Sequence, residues 1–96
     1  VGPSADQFAW GVMAYEVLSG EPPWGHHDKA VRLVEAVLTR EPPPLAAYRP
    51  WVPPAFDALL RRCLAKSEDQ RFPSMHEVAA AVEGALTGVA QVVAAR

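Results

Sequence analysis

Proline and glycine punctuate this chain so regularly that it can fold only as a few short helical segments. Gly20, Pro22 and Pro23 form one break, and Pro42, Pro43 and Pro44 form a second. Proline donates no N–H and disfavours α conformation in the residue before it, so helices end at such runs. Between the breaks no stretch of 4–8 residues shows strand alternation, and the fold class expected is all-α.

Four helices are predicted. The first spans residues 4–19, where Ser4 and Gln7 have the S-x-x-Q spacing of a capping box. Its apolar residues Phe8, Trp10, Val12, Met13, Tyr15, Val17 and Leu18 fall on every face. A helix apolar all round is expected to be buried on all sides. Gly20 stops it.

The second helix covers residues 28–40, with Ala30, Leu33, Val34 and Val37 as its apolar stripe. A connecting loop follows over residues 45–52, with Tyr48 and Trp51 as expected anchors. In the third helix Phe56, Leu59, Leu60, Cys63 and Leu64 occupy i, i+3, i+4, i+7 and i+8. Pro54 suits its first turn. Asp57 and Arg61 are spaced to pair on its outer face, a contact worth about 0.3–0.5 kcal/mol.

The fourth helix begins at Ser74, with Glu77 completing a second capping box. Met75, Val78, Ala79, Val82 and Leu86 form its stripe, and Gly88 is the expected stop. Residues 89–96 read either as a short helix or as the start of a linker.

Composition removes several function classes. Nine basic against eleven acidic residues give a net charge of -2, which offers no footprint for nucleic acid or anionic lipid. No stretch reaches the ~20 apolar residues of a membrane helix, so no membrane contact is expected from this segment. The single cysteine, Cys63, cannot form an internal disulfide. It lies on an apolar stripe and reads as a core residue. His26 and His27 are adjacent, not spaced as paired ligands, and His76 is far along the chain, so no metal set is expected. The opening Val-Gly-Pro reads as an excerpt from a longer chain, and a cytoplasmic setting is the default expectation.

An ordered set of motifs identifies a family. Asp6-Gln7-Phe8-Ala9-Trp10-Gly11 forms D-x-F-x-x-G, and Tyr15-Glu16-Val17-Leu18-Ser19-Gly20 leads to Pro23-Trp24. Later come Cys63-Leu64-Ala65-Lys66 and Gln70-Arg71-Phe72-Pro73-Ser74. In order and spacing this resembles the carboxyl-terminal lobe of eukaryotic-like (Hanks-type) serine/threonine protein kinases. Tyr15-Glu16 and Cys63-Leu64 look like the serine/threonine branch, and the Asp-Gln-Phe start is similar to bacterial members. A common D-P pair near Ser67-Glu68 is absent.

The resemblance implies large-lobe helices over residues 1–86, and a domain end or linker start over residues 87–96. It implies a catalytic-loop anchor at Asp6 and an activation-segment salt bridge at Arg71, whose glutamate partner would lie upstream. Met13 and Val17 match positions that support the hydrophobic spine, and Glu16 matches a position that contacts basic substrates in some members. Phe8 and Gly11 match structural positions, an aromatic anchor and a close-packing site.

No G-x-G-x-x-G, H-R-D or D-F-G motif occurs in the chain, so no catalytic, cofactor-binding or metal residue is assigned to it. ATP and Mg are expected for the parent protein. Its expected partners are the remainder of the kinase domain and a protein substrate. Two alternatives stay open: a pseudokinase scaffold, and an independent helical interaction module.

Overall fold

The computed structural model describes residues 2–94, with Pro3 and residues 89–94 described by backbone alone. Four α-helices follow one another: α1 (Pro3–Ser19), α2 (Ala30–Thr39), α3 (Pro54–Cys63) and α4 (Met75–Ala94). Short 3-10 turns occupy Leu45–Ala47 and Glu68–Gln70, and no strand occurs among the described residues. The all-α expectation holds.

The core lies where α3 packs against both α1 and α4, with the Leu45–Ala47 turn closing on α1 and α3. Tyr15, Leu45, Val52, Leu59, Leu60, Leu64 and Ala85 are its buried residues. Burying each large apolar side chain fully is worth ~1.5–3 kcal/mol, so this cluster is the main source of cohesion. The apolar stripe of α3 is the one read from the sequence, with Leu59, Leu60, Cys63 and Leu64 all buried.

α1 departs from expectation at both its start and its surface. It begins at Pro3 with Gly2 as N-cap and no side-chain cap, so the Ser4–Gln7 capping box does not form. Both side chains are bonded elsewhere, to Arg71 and to Phe72. Its most buried seam is Gln7, Gly11, Tyr15 and Ser19, one residue every four. Gly11 permits that approach: a Cβ there would stand 3.0 Å from Leu64 Cδ2 and 3.1 Å from Cys63 Cβ.

The opposite face, with Ala9, Met13, Glu16 and Val17, is exposed. Burial on every side is therefore corrected, because no described residue packs over that face. The end of α1 matches the reading. Gly20 adopts φ 79°, the left-handed region, and its N–H reaches Glu16 O at 2.8 Å.

α2 is shorter than expected and sits at the periphery. Ala36 is its one buried residue, while Ala30, Leu33 and Val34 of the anticipated stripe are exposed and Val37 is half-buried. Its periodicity is real, but nothing described covers that face.

The loop before α3 is anchored by Leu45 and Val52, with Tyr48 edge-on to Tyr15 at a centroid distance of 6.5 Å. Trp51 is 69% exposed and anchors nothing, which corrects the sequence reading. Asp57 and Arg61 do pair, at 3.0 Å. Yet Asp57 Oδ1 also accepts the Leu45 N–H at 2.9 Å, so the pair ties down the loop and does not merely decorate the outer face.

α4 opens as read, with Ser74 Oγ accepting the Glu77 N–H at 3.2 Å. Its buried line is Val78 and Ala85, flanked by half-buried Ala81 and Val82, while Ala79 and Leu86 face out. The helix runs through Gly88 to Ala94. Glycine in a helix costs about 1 kcal/mol, too little to end it without a further break signal.

Candidate functional site

The loop between α3 and α4 carries Arg71, and four neighbours fix that side chain. Its Nε donates to Ala65 O at 2.7 Å and its Nη1 to Ser4 Oγ at 2.9 Å. A longer contact runs from Nη1 to Ser4 O at 3.4 Å, and the guanidinium lies 4.9 Å from the Phe8 ring centroid. The fourth neighbour acts through the main chain. Fully buried Gln7 donates from Nε2 to Phe72 O at 2.9 Å and accepts the Phe72 N–H on Oε1 at 2.9 Å. Arg71 is half-buried and held, not a loose surface cation.

Beside it opens a groove of about 320 Å³, lined by Ala5, Phe8, Val37, Leu38, Lys66, Glu68 and Arg71. Lys66 forms the second cationic edge. Its Nζ donates to Val37 O at 2.8 Å and Arg40 O at 2.5 Å, capping the carboxyl end of α2. It also stands 5.4 Å from the Trp24 ring centroid. Trp24 Nε1 donates to the same Arg40 O at 2.8 Å, and its ring stacks on Phe8 at 5.7 Å. The groove thus has an aromatic and aliphatic floor between two cations. The Arg71 guanidinium Nη2 bonds no other described residue and is free to donate to a carboxylate.

A second surface gathers on α1. Ala9, Val12, Met13, Glu16 and Val17 line an open depression of about 500 Å³. Met13 is 56% and Val17 77% exposed, so the structure brings Met13, Glu16 and Val17 together on one face. Asp6 is exposed toward the amino end of that helix, and its backbone N–H bonds Gly2 O at 3.0 Å. Among the described residues Asp6 and Arg71 form no ion pair or hydrogen bond with each other.

Other reactive groups are accounted for. Burial pushes the Cys63 thiol up to about 11, so it stays protonated in the core. Burial, with the neighbouring Tyr48 adding to it, likewise pushes the Tyr15 phenol up to about 12, and its hydroxyl donates to Pro43 O at 2.7 Å. His26 lies 3.4 Å from Glu21, and His27 Nε2 lies 2.6 Å from Trp24 O. Among the described residues no three His, Cys, Asp or Glu side chains converge as a metal set. No helix of the described residues is long and apolar enough to cross a membrane.

Sequence reasoning missed Gln7, Ser4 and Lys66. One signal was present for Gln7: it stands four residues before Gly11 on the seam that continues to Tyr15 and Ser19. A polar side chain in line with the closest-packed position must find partners inside.

No family model matches the chain. Among curated proteins it is similar to the serine/threonine-protein kinase PknH of Mycobacterium tuberculosis, 37% identical over 83 residues, covering 86% of this chain and 13% of PknH. The serine/threonine-protein kinase Pkn1 of Myxococcus xanthus is 37% identical over 82 residues, covering 85% of this chain and 12% of Pkn1. PknE of Mycobacterium tuberculosis, also a serine/threonine-protein kinase, is 33% identical over 82 residues, covering 85% of this chain and 14% of PknE. The chain spans 12–14% of the length of these relatives.

Proposed function

The chain is a helical segment of the bacterial Hanks-type serine/threonine protein kinases, and from that premise we propose that the full-length protein transfers the ATP γ-phosphate to serine or threonine hydroxyls of proteins. Residues 1–86 serve as the supporting helices of the large lobe, and residues 87–96 as the domain end or the start of a linker. The segment is silent alone and works as the platform of an active site built by the remainder of the kinase domain.

One observation carries this reading: Arg71, held on Ala65 and Ser4 at the rim of a groove with a second cation, is prepared for a carboxylate. In the proposal that carboxylate is the glutamate closing the activation segment. Asp6, exposed at the first turn of α1, accepts backbone N–H groups of the catalytic loop. Met13 and Val17 support the spine from the uncovered face of α1, and Glu16 beside them meets a basic side chain of the protein substrate. The chain carries no G-x-G-x-x-G, H-R-D or D-F-G motif of its own. In the proposal ATP and Mg are bound by other parts of the parent, and the setting is the cytoplasm.

The test is a phosphoryl-transfer assay on the full-length protein with Mg-ATP and a protein substrate. We expect metal-dependent phosphoserine or phosphothreonine, and a fall of roughly 10–100-fold on Arg71→Ala, in the range of lost positioning. Absence of transfer by the intact protein would point instead to a scaffold without catalysis.

A further inference from the structure

Bonds to Ala65 O and Ser4 Oγ hold the Arg71 guanidinium, while the main chain next to it is held separately. That second anchor is the fully buried side chain of Gln7. Its amide closes two bonds on the backbone of Phe72, the residue after Arg71, at 2.9 Å each. Ser4, one turn earlier on α1, bonds the Arg71 guanidinium at 2.9 Å. The two side chains stand one turn apart on one helix, one fixing the main chain of the loop and the other its functional tip.

We propose that Gln7 is the positioning residue of this site: by clamping the Phe72 backbone to α1 it sets the Arg71 guanidinium at the groove rim. The proposal rests on the reading of Arg71 as a carboxylate receiver for its functional consequence, and on the bonding geometry alone for the positioning itself.

The chemistry favours glutamine. A single side-chain amide offers both a donor and an acceptor, which is what one peptide N–H and one peptide C=O require together. An ionised glutamate accepts only, so Phe72 O would lose its donor and a charge would enter the interior. A methionine of similar length fills the space and leaves both backbone groups without partners. With the Phe72 backbone released, the Nε bond to Ala65 O and the Nη1 bond to Ser4 no longer share a fixed origin.

The experiment is side-chain hydrogen exchange by NMR on the full-length protein with arginine-selective 15N labelling. It compares wild type with Gln7→Met, and with Gln7→Glu as a second variant should the first not fold. The reporter is the Arg71 Nε–H, bonded to Ala65 O, and the internal reference is the Arg61 Nε–H, bonded to Asp57 at 3.0 Å on α3. We expect Arg71 exchange to rise about tenfold relative to Arg61, the order expected for one hydrogen bond. Arg71 and Arg61 rising together, or neither changing, would overturn the proposal, because Gln7 would then serve only general stability or nothing at this site.

A phosphoryl-transfer arm separates the two levels. Gln7→Met is expected to lower transfer, and the double variant with Arg71→Ala to fall no further than Arg71→Ala alone. Additive losses would count against the positioning role. Selective exchange at Arg71, combined with unchanged transfer in Arg71→Ala, would keep the positioning and remove the carboxylate reading.

Discussion

At Gly11 the missing side chain is what lets α1 meet α3. A methyl group there would press on Leu64 Cδ2 and Cys63 Cβ, and both side chains are fully buried with little room to give way. Gly11→Ala is therefore expected to lose stability, although alanine is the better helix former by about 1 kcal/mol. Overpacking costs ~1–3 kcal/mol, and we expect a net loss of about 1–2 kcal/mol. A lower urea midpoint with unchanged slope checks this. Two buried groups, Tyr15 on α1 and Cys63 on α3, predict a response to alkali. Tyr15 and Cys63 titrate at about 12 and about 11 in the fold, against 10.0 and 9.0 for the free groups. The folded state keeps protons that the unfolded chain releases. Their contribution is whole below pH 9 and falls as pH rises, by roughly 1.4 kcal/mol per unit per group within its window. Melting temperatures measured from pH 8 to 12 should decline, and Tyr15→Phe should remove the part of the decline that begins near pH 10.

Between elements, α2 depends on its capped end more than on packing. Only Ala36 is buried along its length, while Lys66 and Trp24 converge on Arg40 O. Lys66→Met is expected to weaken that end by about 0.5–1 kcal/mol. Backbone amide exchange of residues 36–40 should quicken while α3 and α4 keep their protection. The contrast between α2 and α3 also shows what a sequence can disclose. In both, the spacing of apolar residues told which side chains share a face. For α3 that face meets α1 and α4 and the expectation held residue by residue. For α2 the face is uncovered, because periodicity does not say whether a partner is present. The site divides in the same way. Met13, Glu16 and Val17 lie together because helical spacing alone requires it. Gln7 was read as a local cap, because S-x-x-Q is a local pattern, whereas its partner lies 65 residues away.

For the molecule as a whole, apolar surface is the dominant unsettled quantity. Met13 and Val17 on α1, and Val31, Val34 and Leu38 on α2, are all exposed. Contiguous apolar patches of this kind mark places that another surface covers. We expect the 96-residue chain, prepared alone, to bind a hydrophobic dye and to self-associate in sedimentation velocity experiments. The Met13→Ser and Val17→Ser double variant should reduce both signals. A monodisperse monomer with a sharp thermal transition would contradict the expectation.

The Gln7–Phe72 clamp has a consequence in time as well as in space. Its halves are separated by 65 residues of chain. At about 5–20 residues per second of synthesis, Gln7 leaves the ribosome roughly 3–13 s before Phe72 can answer it. Through that interval the nascent α1 carries an unanswered amide on the same seam as Gly11, Tyr15 and Ser19. Until the α3–α4 loop arrives the Gln7 amide has only water to bond, so the clamp can close only once that loop has been made.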